Sequence, residues 1–145
     1  MSDAVRSVEM VVAVEGELRA LIWAMCEEAD DPESMFPAME AIEVLEDTFG
    51  AAPVRRYLGE RAAGGVAEIA RVSGAPCKAV ARRLVRGWGP ADRRLVPWLI
   101  KVLTVKLPGD QGAPADPALC PSVVLAGMVV ASVTYLAAEP SKRPF

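Results

Sequence analysis

The sequence predicts an all-α protein, a compact multi-helix bundle that includes one hairpin of two helices joined by a glycine turn. Alanine is abundant and β-branched alternation is scarce, which favours helix over sheet. Apolar residues recur at spacings of three and four along most of the chain, the signature of a helix with one buried stripe. Over 145 residues, a hydrophobic fraction of 52% beside 24% charge provides for a real core, so neither global disorder nor several domains is expected.

The first helix is read over 4–28, where Val5, Val8, Val11, Val12, Leu18, Leu21, Ile22 and Met25 keep helical spacing. Gly16 lies inside it and weakens it by about 1 kcal/mol against alanine, which leaves a short strand over 10–14 as the alternative. The acidic run ending at Pro32 closes this helix, because the residue before proline avoids the α region. A second helix follows over 32–49, with Met35, Phe36, Met39, Ile42, Leu45 and Phe49 on one face and Gly50 as its stop. Pro53 opens a short helix to Arg61, and Ala62-Ala63-Gly64-Gly65 reads as a break. The helical hairpin occupies 66–84, and Gly87-Trp88-Gly89-Pro90 forms a turn. An apolar helix over 95–107 comes next, with Trp88 and Trp98 sealing the core at its start.

Residues 108–121 hold four prolines and two glycines, the composition of a connector or surface loop. Residues 118–138 then carry no charge over twenty-one positions. That length is borderline for a membrane anchor, and Pro121, Ser122, Gly127, Ser132 and Thr134 interrupt it, so a buried core helix is the favoured reading. Gly127 and Ala131 form a small-xxx-small pair that permits close packing. The organisation is therefore a helical domain over 1–107, a connector over 108–117, and an apolar helix over 118–138 packed on the domain.

Charge is segregated along the chain although the total is only −3. Residues 1–50 carry thirteen acids against Arg6 and Arg19, a net of −11. Residues 51–94 carry ten basic residues against Glu60, Glu68 and Asp92, a net of +7. Such asymmetry suits a basic face, within 54–94, that meets a polyanion, or two halves that pair with each other. There is no histidine, which removes the usual general base and imidazole metal ligand. Glu40, Glu43, Glu46 and Asp47 line one side of the second helix without that ligand type, so a solvated face is expected and no metal or cofactor. Cys26, Cys77 and Cys120 form neither a CxxC nor a disulfide framework, as for reduced thiols of a cytoplasmic protein, and no signal peptide is read at the start. No phosphate loop, GxSxG or dinucleotide fingerprint is present, and no enzymatic activity is expected.

Within the hairpin, Ala70 is small where two helices must approach, and Gly74 can take the positive φ of the turn. Val80 and Leu84 return to the core with Ile69, leaving Cys77, Lys78, Ala81 and Arg82 outward. This segment, 66–84, resembles the helix-turn-helix of bacterial DNA-binding regulators. The resemblance implies base and phosphate contacts from Cys77, Lys78, Ala81 and Arg82, and further phosphate contacts from Arg71, Arg83 and Arg86. Pro76 stands where that family carries Ser or Thr, and the outward face offers no Asn or Gln for bidentate base reading.

The expected function is thus a small DNA-associated regulator that binds duplex DNA, with the acidic helices over 4–49 forming a homodimer or effector layer. A helical protein-interaction module without nucleic-acid binding is the alternative, in which methionine and valine faces on the first two helices receive a protein partner. A tail-anchored membrane protein is the third reading.

Overall fold

The computed structural model describes residues 3–27, 35–88, 94–105 and 121–143. Six helices follow one another: α1 (Asp3–Glu27), α2 (Met35–Phe49), α3 (Ala51–Ser73), α4 (Cys77–Trp88), α5 (Val96–Val105) and α6 (Pro121–Ala137). A 3-10 turn over Pro140–Lys142 ends the described chain. Among the described residues there is no strand, and the helices form one all-α bundle. The strand alternative over 10–14 is not realised; those residues are helical.

α3 and α6 form the centre. α3 packs against each of the other five helices, most extensively against α6. Along α3, Val54, Leu58, Ala62, Val66 and Ile69 are fully buried at spacings of three and four, giving one continuous stripe. α6 has no polar face to keep in water: Leu125, Ala126 and Met128 are fully buried, and Pro121, Val123, Gly127, Val129, Val130 and Tyr135 are also inside. An apolar helix of this kind is stable only when mostly covered, and here α1, α2, α3 and α4 cover all but a strip near its end that includes Val133, Thr134 and Ala137. Among the described residues no helix is long and apolar enough to cross a membrane, so the apolar stretch over 118–138 is realised as a core helix from Pro121 onward.

The expected break at Ala62-Ala63-Gly64-Gly65 does not occur. α3 runs unbroken from Ala51 to Ser73, merging the short helix expected over 53–61 with the first helix of the hairpin. Ala62, Ala63 and Gly65 serve packing instead of punctuation. Ala62 and Ala63 are buried, and Gly65 lies so close to Ser132 of α6 that a Cβ there would sit 2.5 Å from the serine Cβ. Each interior glycine costs about 1 kcal/mol of helix propensity, which tertiary packing overrides.

The expected helix ends fare better. Gly50 (φ 92°) and Gly74 (φ 75°) are the two positive-φ glycines among the described residues. Gly50 N–H donates to the Glu46 carbonyl at 2.8 Å and Gly74 N–H to the Ala70 carbonyl at 2.9 Å, satisfying groups that a helix end leaves orphaned. α5 buries Leu99, Val102 and Leu103, with Leu95 just ahead of it, and leaves Lys101 in solvent. Trp98 is buried, as expected; the Trp88 side chain, Gly89-Pro90, the connector over 108–117 and Cys120 lie outside the described residues.

α1 and α2 pack on each other and on α3 and α6, contributing Val14, Leu18 and Ile42 to the common core. Met10, Val11 and Val12 of α1 and Val44 of α2 remain exposed. Glu40, Glu43 and Asp47 face solvent as the sequence suggests, but Glu46 is half-buried. It follows Ile42 by four residues, which puts it on the same side of the helix, and its Oε1 is covered without a hydrogen-bond partner among the described residues.

Candidate functional site

The hairpin of α3 and α4 is built as its residues require. Ser73 ends α3, Gly74 adopts the left-handed conformation (φ 75°, ψ 4°), and the chain reverses into α4 within three residues. The Ala75 N–H donates to Ser73 Oγ at 3.3 Å, and the Pro76 carbonyl accepts the Val80 N–H at 3.1 Å, the first hydrogen bond of α4. Pro76 has no hydroxyl to cap the helix, and Ser73 supplies a side-chain acceptor to the turn instead.

Ile69, Val80 and Leu84 converge in the core, with Val85 beside them. α4 is sharply two-sided. Cys77, Lys78, Ala79, Arg82, Arg83 and Arg86 are exposed, whereas Val80, Ala81, Leu84 and Val85 are buried. Lys78, Arg82 and Arg86 follow one another at intervals of four and therefore lie along one ridge, with Arg83 on its flank. α4 packs mainly on α5, α3 and α6, while the acidic helices pack mainly on α3 and α6, so the basic ridge faces away from its supporting layer.

One residue of the expected contact face is placed differently. Ala81 is fully buried in the core and cannot meet a ligand from the outward side. It stands one residue after Val80 and four before Val85, so it shares their side of the helix. The short side chain allows close helix packing there, and the outward face is carried by Lys78, Ala79, Arg82, Arg83 and Arg86.

Arg71, in the last turn of α3, is exposed but engaged. Its Nε donates to both Glu68 carboxylate oxygens at 3.1 Å, and its Nη2 donates to Glu68 Oε1 as well. The hydrogen bonds from Arg71 hold the Glu68 carboxyl below its ordinary range, and Glu68 in turn raises Arg71. The charge of Arg71 is thus met within its own helix turn.

Cys77 is exposed at the start of α4. Cys26, near the end of α1, is half-buried, and burial pushes its thiol up from the ordinary value. Among the described residues no three His, Cys, Asp or Glu side chains gather where they could hold a metal ion.

The site that the sequence reading did not single out is a groove of about 590 Å³ where α1, α3 and α6 meet, whose lining includes Trp23 and Arg61. Its legible signal is Trp23, placed opposite Val14 on α1 and thus away from the buried stripe. Trp23 is not a lone exposed apolar residue, since exposed Val133 of α6 shares the groove lining with it, and a patch of that kind marks a contact surface. Comparison of this chain with protein-family models, with characterised proteins and with solved structures gave no match.

Proposed function

We propose that this protein binds duplex DNA through the outward ridge of α4, as a small DNA-associated regulatory protein. The observation that carries this reading is the ridge itself: Lys78, Arg82 and Arg86 in line and Arg83 beside them, all exposed, on the second helix of a glycine-turned hairpin. A helix presented in this way fits the major groove, and its cations neutralise phosphates along the groove edges. The net −3 of the chain does not oppose this at short range, because charges farther than about 10 Å are largely screened at 0.1 M salt.

The chemistry of the ridge favours the backbone over the bases. Two of its side chains, Arg82 and Arg86, can fork onto guanine edges, but no Asn or Gln is present for adenine. Binding is therefore mainly electrostatic, with modest sequence preference. A labelled mixed-sequence duplex, titrated by fluorescence anisotropy at low salt, tests this directly. Saturable binding that weakens steeply as salt rises is the expected result; absence of binding at low salt overturns the proposal.

A second reading draws on a different observation. Met10, Val11 and Val12 form an exposed apolar run on α1, and Val44 is exposed on α2, which suits a protein partner or a second copy of the chain. Sedimentation equilibrium of the purified chain, with and without Val12→Asp, tests self-association through this face. Dimers that the substitution dissolves support it, and a monomer at all concentrations removes the homodimer.

A further inference from the structure

The groove between α1, α3 and α6 is separate from the α4 ridge and plays no part in the DNA reading. Its walls are apolar: Ile22 of α1 and Val129, Val133 and Leu136 of α6 line it, and its floor is the seam where Gly65 meets Ser132. Ser132 presents no free donor there, since its hydroxyl donates to the Met128 carbonyl at 2.9 Å. Trp23 stands at the rim, 71% exposed, and Val133 is 43% exposed. Two large apolar side chains are thus left in water beside a concavity of the size that small-molecule sites have.

The polar groups of the groove are few and of mostly one sign. Arg19 and Arg61 line it, and neither has a carboxylate partner among the described residues. Arg61 is held in place by Tyr57: its Nε donates to the phenol oxygen at 3.3 Å, and its guanidinium lies 5.6 Å from the ring centroid. Among the described residues, the one acid in the lining is Glu27, which accepts a 2.7 Å hydrogen bond from Trp23 Nε1 at the rim. The carbonyl end of α6, which would repel an anion, is covered by Arg143, whose Nε and Nη2 donate to the Tyr135 and Leu136 carbonyls at 3.2 Å.

The geometry points to a binding site for a small amphipathic carboxylate: an aliphatic chain lying along Ile22, Val129, Val133 and Leu136, with its carboxylate between Arg19 and Arg61. The aliphatic part fits because burying it removes its own surface and that of Val133 and Trp23 from water. The anionic head fits because a pre-positioned guanidinium gives a charge-assisted hydrogen bond. No covalent step is involved. Cys26 also lines the groove and reports on its occupancy, since a bound chain covers the thiol.

Decanoate and its neutral analogue 1-decanol, titrated into the full-length protein without DNA by calorimetry and by tryptophan fluorescence, test this inference. Decanoate is expected to bind saturably at one site per chain and to slow alkylation of Cys26. Arg61→Gln is expected to weaken decanoate about tenfold, the loss of one charge-assisted hydrogen bond, while leaving 1-decanol unchanged. Val133→Asp, on an exposed position where the fold tolerates it, is expected to abolish decanoate binding with the circular dichroism spectrum intact; Val133→Gln serves if it is not. Absence of saturable decanoate binding overturns the inference, as does binding that neither Arg61→Gln nor Val133→Asp alters. Concentration-dependent dimers that Val133→Asp dissolves overturn it too, because the groove then receives a second copy. Since the α4 ridge is untouched, loss of DNA binding and loss of decanoate binding are read independently.

Discussion

Gly65 of α3 faces Ser132 of α6 so closely that a Cβ on the glycine would lie 2.5 Å from the serine Cβ and 2.6 Å from its Oγ. Real Cβ atoms do not approach at that distance, so the two central helices meet here at a spacing only glycine allows. The neighbouring Gly64 is exposed, with open space around the position its Cβ would take. Two adjacent glycines in one helix thus have opposite meanings, one fixed by a partner and one free of any.

The pair gives opposite signs on substitution. Gly65→Ala is expected to destabilise the protein by about 1–3 kcal/mol, because the seam with α6 must open. Gly64→Ala is expected to stabilise it by about 0.5–1 kcal/mol through helix propensity and a less flexible unfolded chain. Urea denaturation of both variants measures the difference; equal effects would show that the seam does not hold the helices together.

The same pair shows what the sequence discloses and what it hides. Gly50 and Gly74 were legible as helix ends because each follows a periodic stripe and satisfies a local carbonyl, so their role is written within a few residues. Gly65 was not, because its reason lies sixty-seven positions away at Ser132, and local pattern alone reads Ala-Ala-Gly-Gly as a break. Ala81 misled in the same manner: alanine is compatible with either side of a helix, and only the packing around Val80 and Val85 assigns it to the core. The basic ridge was legible, since arginine and lysine have few alternatives to solvent. Of the groove only Trp23 was legible, because its walls come together from α1, α3 and α6, three distant parts of the chain.

Gly74 has no steric neighbour within 4 Å of the position a Cβ would occupy, but its φ of 75° is left-handed. The cost of a side chain there is therefore conformational alone. Gly74→Ala is expected to lower stability by about 1 kcal/mol, and Gly74→Asn by less, since asparagine tolerates this region better. Thermal unfolding of the two variants checks the order; if alanine costs no more than asparagine, the turn relaxes in some other way.

Glu68 and Arg71 give a pH dependence of known sign. The folded-state carboxyl lies below its ordinary value, so its contribution is present above the unfolded carboxylate pKa and is lost as pH falls through the folded one. Both groups are exposed, and the effect is small and weakened by salt. Glu68→Gln is expected to narrow its stability gap to the wild type as pH drops through the carboxylate range at low salt. A gap that widens toward acid pH would contradict the pairing.

The engagement of Arg71 by Glu68 also ranks the basic residues for DNA. Arg82 and Arg86 lie on the ridge of α4, whereas Arg71 has a carboxylate bound to it and releases that partner before it can hold a phosphate. Each cation that meets a phosphate contributes about one to the slope of log affinity against log salt. Arg82→Gln and Arg86→Gln are each expected to lower that slope by about one and to weaken binding at low salt. Arg71→Gln is expected to change it by less, and Glu68→Gln, which frees the arginine, to strengthen binding. Anisotropy titrations of these four variants across a salt series provide the measurement. If Arg71→Gln is as damaging as Arg82→Gln, the contact face is centred on the turn rather than on α4.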